Sequence, residues 1–338
     1  MKLLQFIDPQ DGQHLGLVEG DSVIDLGVGG IYEVYYEGGG DEVGLVSAVE
    51  QLREKAGDAR RLDLDQLLAS SDASSPHLTK PVSGPSDNPH ALKVWLAGVT
   101  HEVSAKLREI EAQQATGAAV NVYDQKYKEV SSGGRPELFS KGEPDAVRGH
   151  SQAVTRPADT VRLVPETELV SVYGLNKQGQ LERLGYTGGN DVTDNGIEAD
   201  NPLNLPQAKN WAGGCASLGP LLVTADEYDD GDVTVSCEIL RDGQRVGFKE
   251  GKTGRDNLNM PDSLLHLERH LFRRIPLEAR SLLAFYWGTP IVFAEADLSD
   301  GVQVGDVMRL EFSGGIGRLE NAVVALEETG QLAGLEGV

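Results

Sequence analysis

Glu166 and Glu168, in the run Pro165-Glu166-Thr167-Glu168-Leu169-Val170-Ser171-Val172, place two carboxylates two positions apart. In a strand such positions point to one face, so the two acids stand side by side. Neighbouring carboxylates repel each other and are costly to bury unless a cation joins them. Hard oxygen ligands of this kind suit Mg²⁺, with Mn²⁺ or Ca²⁺ as alternatives. An exposed strand face carrying two acids gives the same pattern, so the pair needs company. In Gly185-Tyr186-Thr187-Gly188-Gly189-Asn190-Asp191 the glycines permit close backbone approach, and Asp191 offers a third oxygen from the end of an apolar element. An ordinary turn competes with that reading. Lys209 precedes the glycine-rich bend Gly213-Gly214-Cys215, which leads into an apolar run. This order would bring its ammonium near an oxyanion at the metal, unless it is simply a solvated surface lysine.

The elements that must position these groups are mostly strands. Leu3–Ile7, His14–Val18 and Val23–Leu26 read as short strands, the first two joined across Pro9-Gln10-Asp11-Gly12. Val43–Lys55 and Leu62–Ala69 show helical apolar spacing. Residues 1–75 thus form a small N-terminal α/β module, and residues 76–90, in a proline-rich stretch, form a linker. Beyond it, Val94–Val99 is a strand and Glu102–Gln114 is helical in pattern. From Val161 onward strand patterns dominate: Leu163–Tyr173, Gly219–Thr224, Val233–Leu240, Leu282–Tyr286, Val307–Phe312 and Ile316–Val323, with one helix over Pro261–Phe272. Strand runs with few intervening helices predict a mostly-β α+β architecture. The catalytic domain is expected over 91–330, followed by a tail over 331–338.

Composition narrows the classes of function. Fifty-three acids against 30 bases give a formal net charge of -23, a surface that repels nucleic acid and anionic membranes. The bases divide into 12 Lys and 18 Arg. Such self-repulsion is tolerable where concentrated salt shortens the screening length, to roughly 3 Å at 1 M; a salt-adapted protein and an ordinary acidic enzyme both fit. No apolar run approaches membrane-spanning length, and the start lacks a signal-peptide pattern, so cytoplasm is the expected compartment. Cys215 and Cys237 are expected as independent thiols. His266 and His270 lie four apart on a helix, a zinc-binding spacing, but no third ligand accompanies them and a plain helix face is the better reading.

Taken in order, the Glu-x-Glu strand, the later Asp and the following Lys resemble the fumarylacetoacetate hydrolase family over most of the chain beyond the linker. The N-terminal strands are similar to that family's small domain. The resemblance implies a β-roll catalytic domain in which Glu166, Glu168 and Asp191 bind one divalent metal and Lys209 lies beside the substrate. Gly288-Thr289-Pro290 is similar to the family's late Gly-Thr turn, whose amide and hydroxyl hold a substrate carboxylate. Gly315-Ile316-Gly317-Arg318-Leu319-Glu320-Asn321 matches its terminal strand. One departure matters: where the family's hydrolases carry a water-activating histidine, this chain has Ser104, and His101 stands at a tyrosine position.

Tyr127–His150 and Glu198–Pro220 resemble the branch of 2-keto-3-deoxy-pentonate dehydratases of the arabinonate and xylonate pathways. That branch implies Glu137 at the active site. Lys141 of the same segment, His101 and His150 are further candidates for substrate contact, with a structural role an even competitor for His150, and either histidine could stand in for the missing water-activating one. The implied reaction is Mg²⁺-dependent dehydration of a small 2-oxo sugar acid to 2,5-dioxopentanoate, with Lys209 or Glu137 as base. Hydrolysis of an acylpyruvate or 2,4-diketo acid is the first alternative, and a non-catalytic sugar-acid binding protein is the second. A homodimer or dimer of dimers is expected from the resemblance.

Overall fold

The computed structural model describes residues 1–103, 106, 110 and 122–327. The expected helix over Glu102–Gln114, Ser104 within it, and the tail over 331–338 therefore lie largely or wholly outside the described residues.

The Glu-x-Glu segment becomes a central strand, Thr167–Leu175, buried along almost its whole length. Its near-continuous apolar run is what a strand covered on both faces requires. Around it runs a mixed sheet in the order Arg61–Asp63, Ser22–Val28, Gly12–Glu19, Lys2–Asp8, Ala216–Thr224, Leu181–Asp191, Thr167–Leu175, Leu282–Tyr286, Leu92–Gly98, Glu137–Ser140. The N-terminal strands join this sheet directly, with Lys2 opposite Val223 and Leu3 opposite Leu222. A second sheet holds Gln244–Thr253, Val233–Arg241, Val307–Phe312, Gly317–Ala325 and Val154–Arg156. The architecture is thus mostly β with a few short helices, as the spacing predicted.

Three layers result. On one face of the large sheet, Leu169 and Tyr186 share a core with Val235, Ile239, Leu310 and Phe312 of the second sheet. On the other, Val170, Val172 and Tyr286 meet Tyr35, Leu45 and Val49 from the helices Ile31–Tyr36 and Leu45–Ala56. The helix expected over Val43–Lys55 is broken at Gly44, whose φ of 87° ends one short helix and starts the next. The strand expected over Leu163–Tyr173 is interrupted at Pro165-Glu166, leaving Leu163–Val164 to pair with Thr193–Asp194. The helix at Pro261–Phe272 begins later, at Leu264.

Leu181–Asp191, read from its glycines as a possible turn, is an eleven-residue strand. Its glycines are there for contact: a Cβ on Gly188 would enter the ring of Phe312, and one on Gly189 would enter that of Tyr286. The hairpin between Thr167–Leu175 and Leu181–Asp191 therefore packs tightly at the end where the acids lie.

Candidate active site

Antiparallel register closes the sequence gap between the acids. Thr167 pairs with Asn190 and Glu168 with Gly189, which sets Glu166 across from Asp191. The Asn190 side-chain oxygen accepts from the Glu166 amide at 3.1 Å, and the Asp191 amide donates to the Glu166 carbonyl at 3.0 Å. Glu166, Glu168 and Asp191 are all buried, and one carboxylate oxygen from each lies within 4.8 Å of the others. Burial first, then the charges of Asp191 and Glu166, hold the Glu168 carboxyl well above the ordinary range, while Lys209 and the Gly288 amide act in the opposite direction. Three carboxyls this close and this dry are a poor arrangement for protein alone and a good one for a dication. Among the described residues, this is the one group with metal-binding geometry.

Two lysines answer the same charge. Lys209, from the short helix Leu205–Lys209, donates to Asp191 Oδ2 at 2.7 Å and Thr193 Oγ1 at 2.7 Å, and lies 3.1 Å from Glu166 Oε1. Lys141, fully buried, ion-pairs with Asp191 Oδ1 and donates to the Val192 carbonyl at 2.7 Å. Three carboxylates against two ammonium groups leave one negative charge. A dication turns this into one positive charge, which the carboxylate of an acidic substrate matches.

The cavity beside the acids is lined by Glu166, Glu168, Asp191, Lys209, Glu137, Gly288 and Thr289, seven positions marked out by the sequence. Glu137 opens the strand Glu137–Ser140. Burial and the charge of Glu198 push its carboxyl up to about 7, with Lys209 and Lys126 opposing. Gly288, at a φ of 85°, turns the chain after the strand Leu282–Tyr286 so that its amide donates to Glu168 Oε2 at 2.7 Å. The Thr289 hydroxyl is engaged with its own chain, 3.1 Å from the Thr167 carbonyl and 2.8 Å from that of Ile291.

Three expected substrate contacts are placed elsewhere. Lys141 stands behind Asp191 rather than on the cavity wall, because its ammonium is taken by that carboxylate and a backbone carbonyl. His101 lies behind the Gly288 turn, between Thr100 Oγ1 at 2.9 Å and Thr253 Oγ1 at 3.1 Å, and burial lowers its pKa to about 4. His150 faces a separate cleft, with its ring 2.8 Å from the Leu68 carbonyl and 3.3 Å from the Glu320 amide. No histidine lines the acid cavity among the described residues. His266 is bonded to the Gly134 carbonyl, and both cysteines are free and buried.

Tyr123 and Glu198 were not singled out as site residues, yet both are buried and line the cavity. Glu198 rides the helix Asn195–Asp200, whose N-terminus is capped by the Asp194 side chain. That Asp-Asn helix start, three residues after Asp191, was the available signal. The Tyr123 hydroxyl donates to Glu198 Oε1 at 3.4 Å.

The family model described as fumarylacetoacetate (FAA) hydrolase C-terminal matches residues 109–324. The chain is 32% identical over 255 residues to 2-dehydro-3-deoxy-D-arabinonate dehydratase of Saccharolobus solfataricus, covering 75% of this chain and 78% of that protein. It is 31% identical over 252 residues to a probable 2-keto-3-deoxyxylonate dehydratase of Haloferax volcanii, covering 74% and 76%. A solved structure of 2-keto-3-deoxy-D-arabinonate dehydratase complexed with magnesium and 2,5-dioxopentanoate superposes with a TM-score of 0.70 at 25% identity, over 97% of this chain and 100% of that one.

Proposed function

The chain belongs to the fumarylacetoacetate hydrolase family, and on that premise we propose that it dehydrates a 2-keto-3-deoxy-pentonate to 2,5-dioxopentanoate, a step in oxidative breakdown of arabinose or xylose. The observation that carries this reading is the convergence of three buried carboxylates, Lys209 and Glu137 on one cavity without a histidine beside them. Hydrolysis of a C–C bond needs a base to activate water, and His101 and His150 are both engaged elsewhere.

Glu166, Glu168 and Asp191 would hold a divalent cation, Mg²⁺ foremost, which supplies Lewis-acid stabilisation of charge developing on the keto oxygen of a 2-oxo acid. The remaining steps fall to the chain's own groups. Lys209, between two carboxylates and a hydroxyl, is held as the ammonium and favours negative charge on the substrate. Glu137 is then the base that takes a C3 proton. Its pKa near 7 also lets it return that proton to the departing C4 hydroxyl. The Gly288 turn closes the wall beside Glu168 and positions the substrate end.

The test is product analysis. Purified protein with Mg²⁺ and a panel of 2-keto-3-deoxy acids, coupled to an aldehyde dehydrogenase, should yield one semialdehyde from a pentonate. Two carboxylic fragments from an acylpyruvate would instead establish hydrolysis, and no turnover with any of these acids would leave a binding protein.

A further inference from the structure

Loss of water is only half of the reaction proposed above. Removing the C3 proton and the C4 hydroxyl leaves 5-hydroxy-2-oxopent-3-enoate, a conjugated enone. Reaching the aldehyde requires a second C–H bond, at C5, to break. The cavity holds a second buried carboxyl for which the first half has no use. Glu198 stands on the cavity wall with Glu137, held by the Tyr123 hydroxyl at 3.4 Å.

The placement suits a division of labour. Glu137 feels the charges of Glu198, Lys209 and Glu166, so it stands within electrostatic reach of both the metal-side acids and Glu198. The 2-oxo acid end of the substrate belongs with Glu166, Glu168 and Asp191, and C3 is the next carbon along. Glu198 is carried by a different helix, and its bonded neighbour Tyr123 comes from the helix Val122–Ser131.

We propose that Glu198, oriented by Tyr123, is the base of the second half-reaction, moving a proton from C5 to C3 of the enone. The carboxylate takes a C5 proton, and the C5–H electron pair becomes the C4–C5 double bond. The C3–C4 pair shifts to C2–C3, and the carbonyl pair moves onto the keto oxygen. Return of the same proton to C3 restores the ketone and leaves the C4–C5 enol, which tautomerises to the C5 aldehyde. The sequence is an isomerisation: nothing is oxidised and no co-reactant is consumed. One carboxylate serving two carbons that flank a shared neighbour needs only a small swing.

This inference rests on the dehydratase reading, and the experiment separates the two. Glu198→Gln, nearly isosteric, is compared with wild type for consumption of 2-keto-3-deoxy-pentonate, near-ultraviolet absorbance of the enone and aldehyde formation. The expected result is continued water loss with enone accumulation, and aldehyde release slowed by about 10²-fold or more. Glu198→Asp, which keeps the carboxylate, should restore much of the aldehyde rate, and Tyr123→Phe should show a smaller version of the same split. Magnesium affinity of the Gln variant should match wild type and its melting temperature should not fall, a combination that a merely structural Glu198 would not give. Equal slowing of both half-reactions without enone would overturn the role of Glu198, as would unchanged aldehyde formation. Wild type that consumes no 2-keto-3-deoxy acid would instead overturn the dehydratase reading.

Discussion

Glu168 is buried between two like charges, and both burial and those charges push its carboxyl upward. A dication reverses that balance, so the three acids should act as one unit. Glu168→Ala should abolish both Mg²⁺ binding, measured calorimetrically, and turnover. Lys209→Ala should lower turnover by about 10²–10⁴-fold while Mg²⁺ still binds; a fully active variant would remove Lys209 from the chemistry. Glu137 makes a prediction about pH. Its pKa is raised to about 7, so the carboxylate needed to accept the C3 proton is scarce below that value and abundant above it. Activity should rise about tenfold per pH unit approaching 7 and level off beyond, and Glu137→Gln should erase this limb. The sign for stability is opposite. A raised acid pKa means the folded state favours the protonated form, so its contribution is present at low pH and lost as pH climbs through about 7. Without metal, Glu137→Gln should therefore melt higher than wild type at pH 8. A lower melting point there would contradict the assignment.

The hairpin formed by Thr167–Leu175 and Leu181–Asp191 is the element that turns distant acids into a site. Its register, not local sequence, puts Glu166 across from Asp191. Gly189→Ala should be costly because the new methyl meets the Tyr286 ring, which packs in the core beneath the strand. Overpacking of this kind costs about 1–3 kcal/mol, readable in denaturant unfolding, and Mg²⁺ affinity should fall with it as Glu168 is displaced. Unchanged stability would show that the strand yields freely. The same element marks what could be read in advance. Glu166, Glu168 and Asp191 were legible because charge in an apolar strand context is conspicuous, and Lys209 because it precedes a glycine-rich bend into an apolar run. The strand status of Leu181–Asp191 was not, since glycines that make room for aromatic rings look like a bend until the rings are placed. The edge strand Gln244–Thr253 was missed for a related reason: Gly247 and Gly251 lie against Phe293 and Ile291, while Val246 and Phe248 face outward. Alternation there runs against the usual apolar-in pattern. His101, His150 and Lys141 were candidates from their place along the chain, which fixes neighbourhood in sequence but not the direction of a side chain. Glu198 and Tyr123 show the converse, since their roles appear only once two separate helices meet at one cavity.

At the scale of the whole molecule, a formal charge of -23 acts against the fold everywhere outside the site. Many surface ion pairs offset part of it, such as Arg318 with Glu311, Lys252 with Asp232 and Arg269 with Asp262. Exposed pairs of this kind contribute only about 0–1 kcal/mol each. Salt weakens both effects, but they differ in range. Paired charges in contact lose little further, whereas repulsion among the unpaired acids extends across the surface and is cut off once the screening length falls to roughly 3 Å in molar salt. Net repulsion should therefore decline faster than pairing. The expected outcome is a melting temperature that rises from dilute buffer to 2 M KCl, by roughly 1–2 °C for each kcal/mol gained in a chain of 338 residues. Sucrose at matched osmolarity should produce a smaller rise, because it leaves the charges unscreened. The buried acids respond differently, being shielded from bulk ions, so Mg²⁺ affinity of the site should change far less than stability over the same range. A melting temperature indifferent to KCl would mean that the surface pairs already balance the excess acids, and salt adaptation would then have no physical basis in this chain.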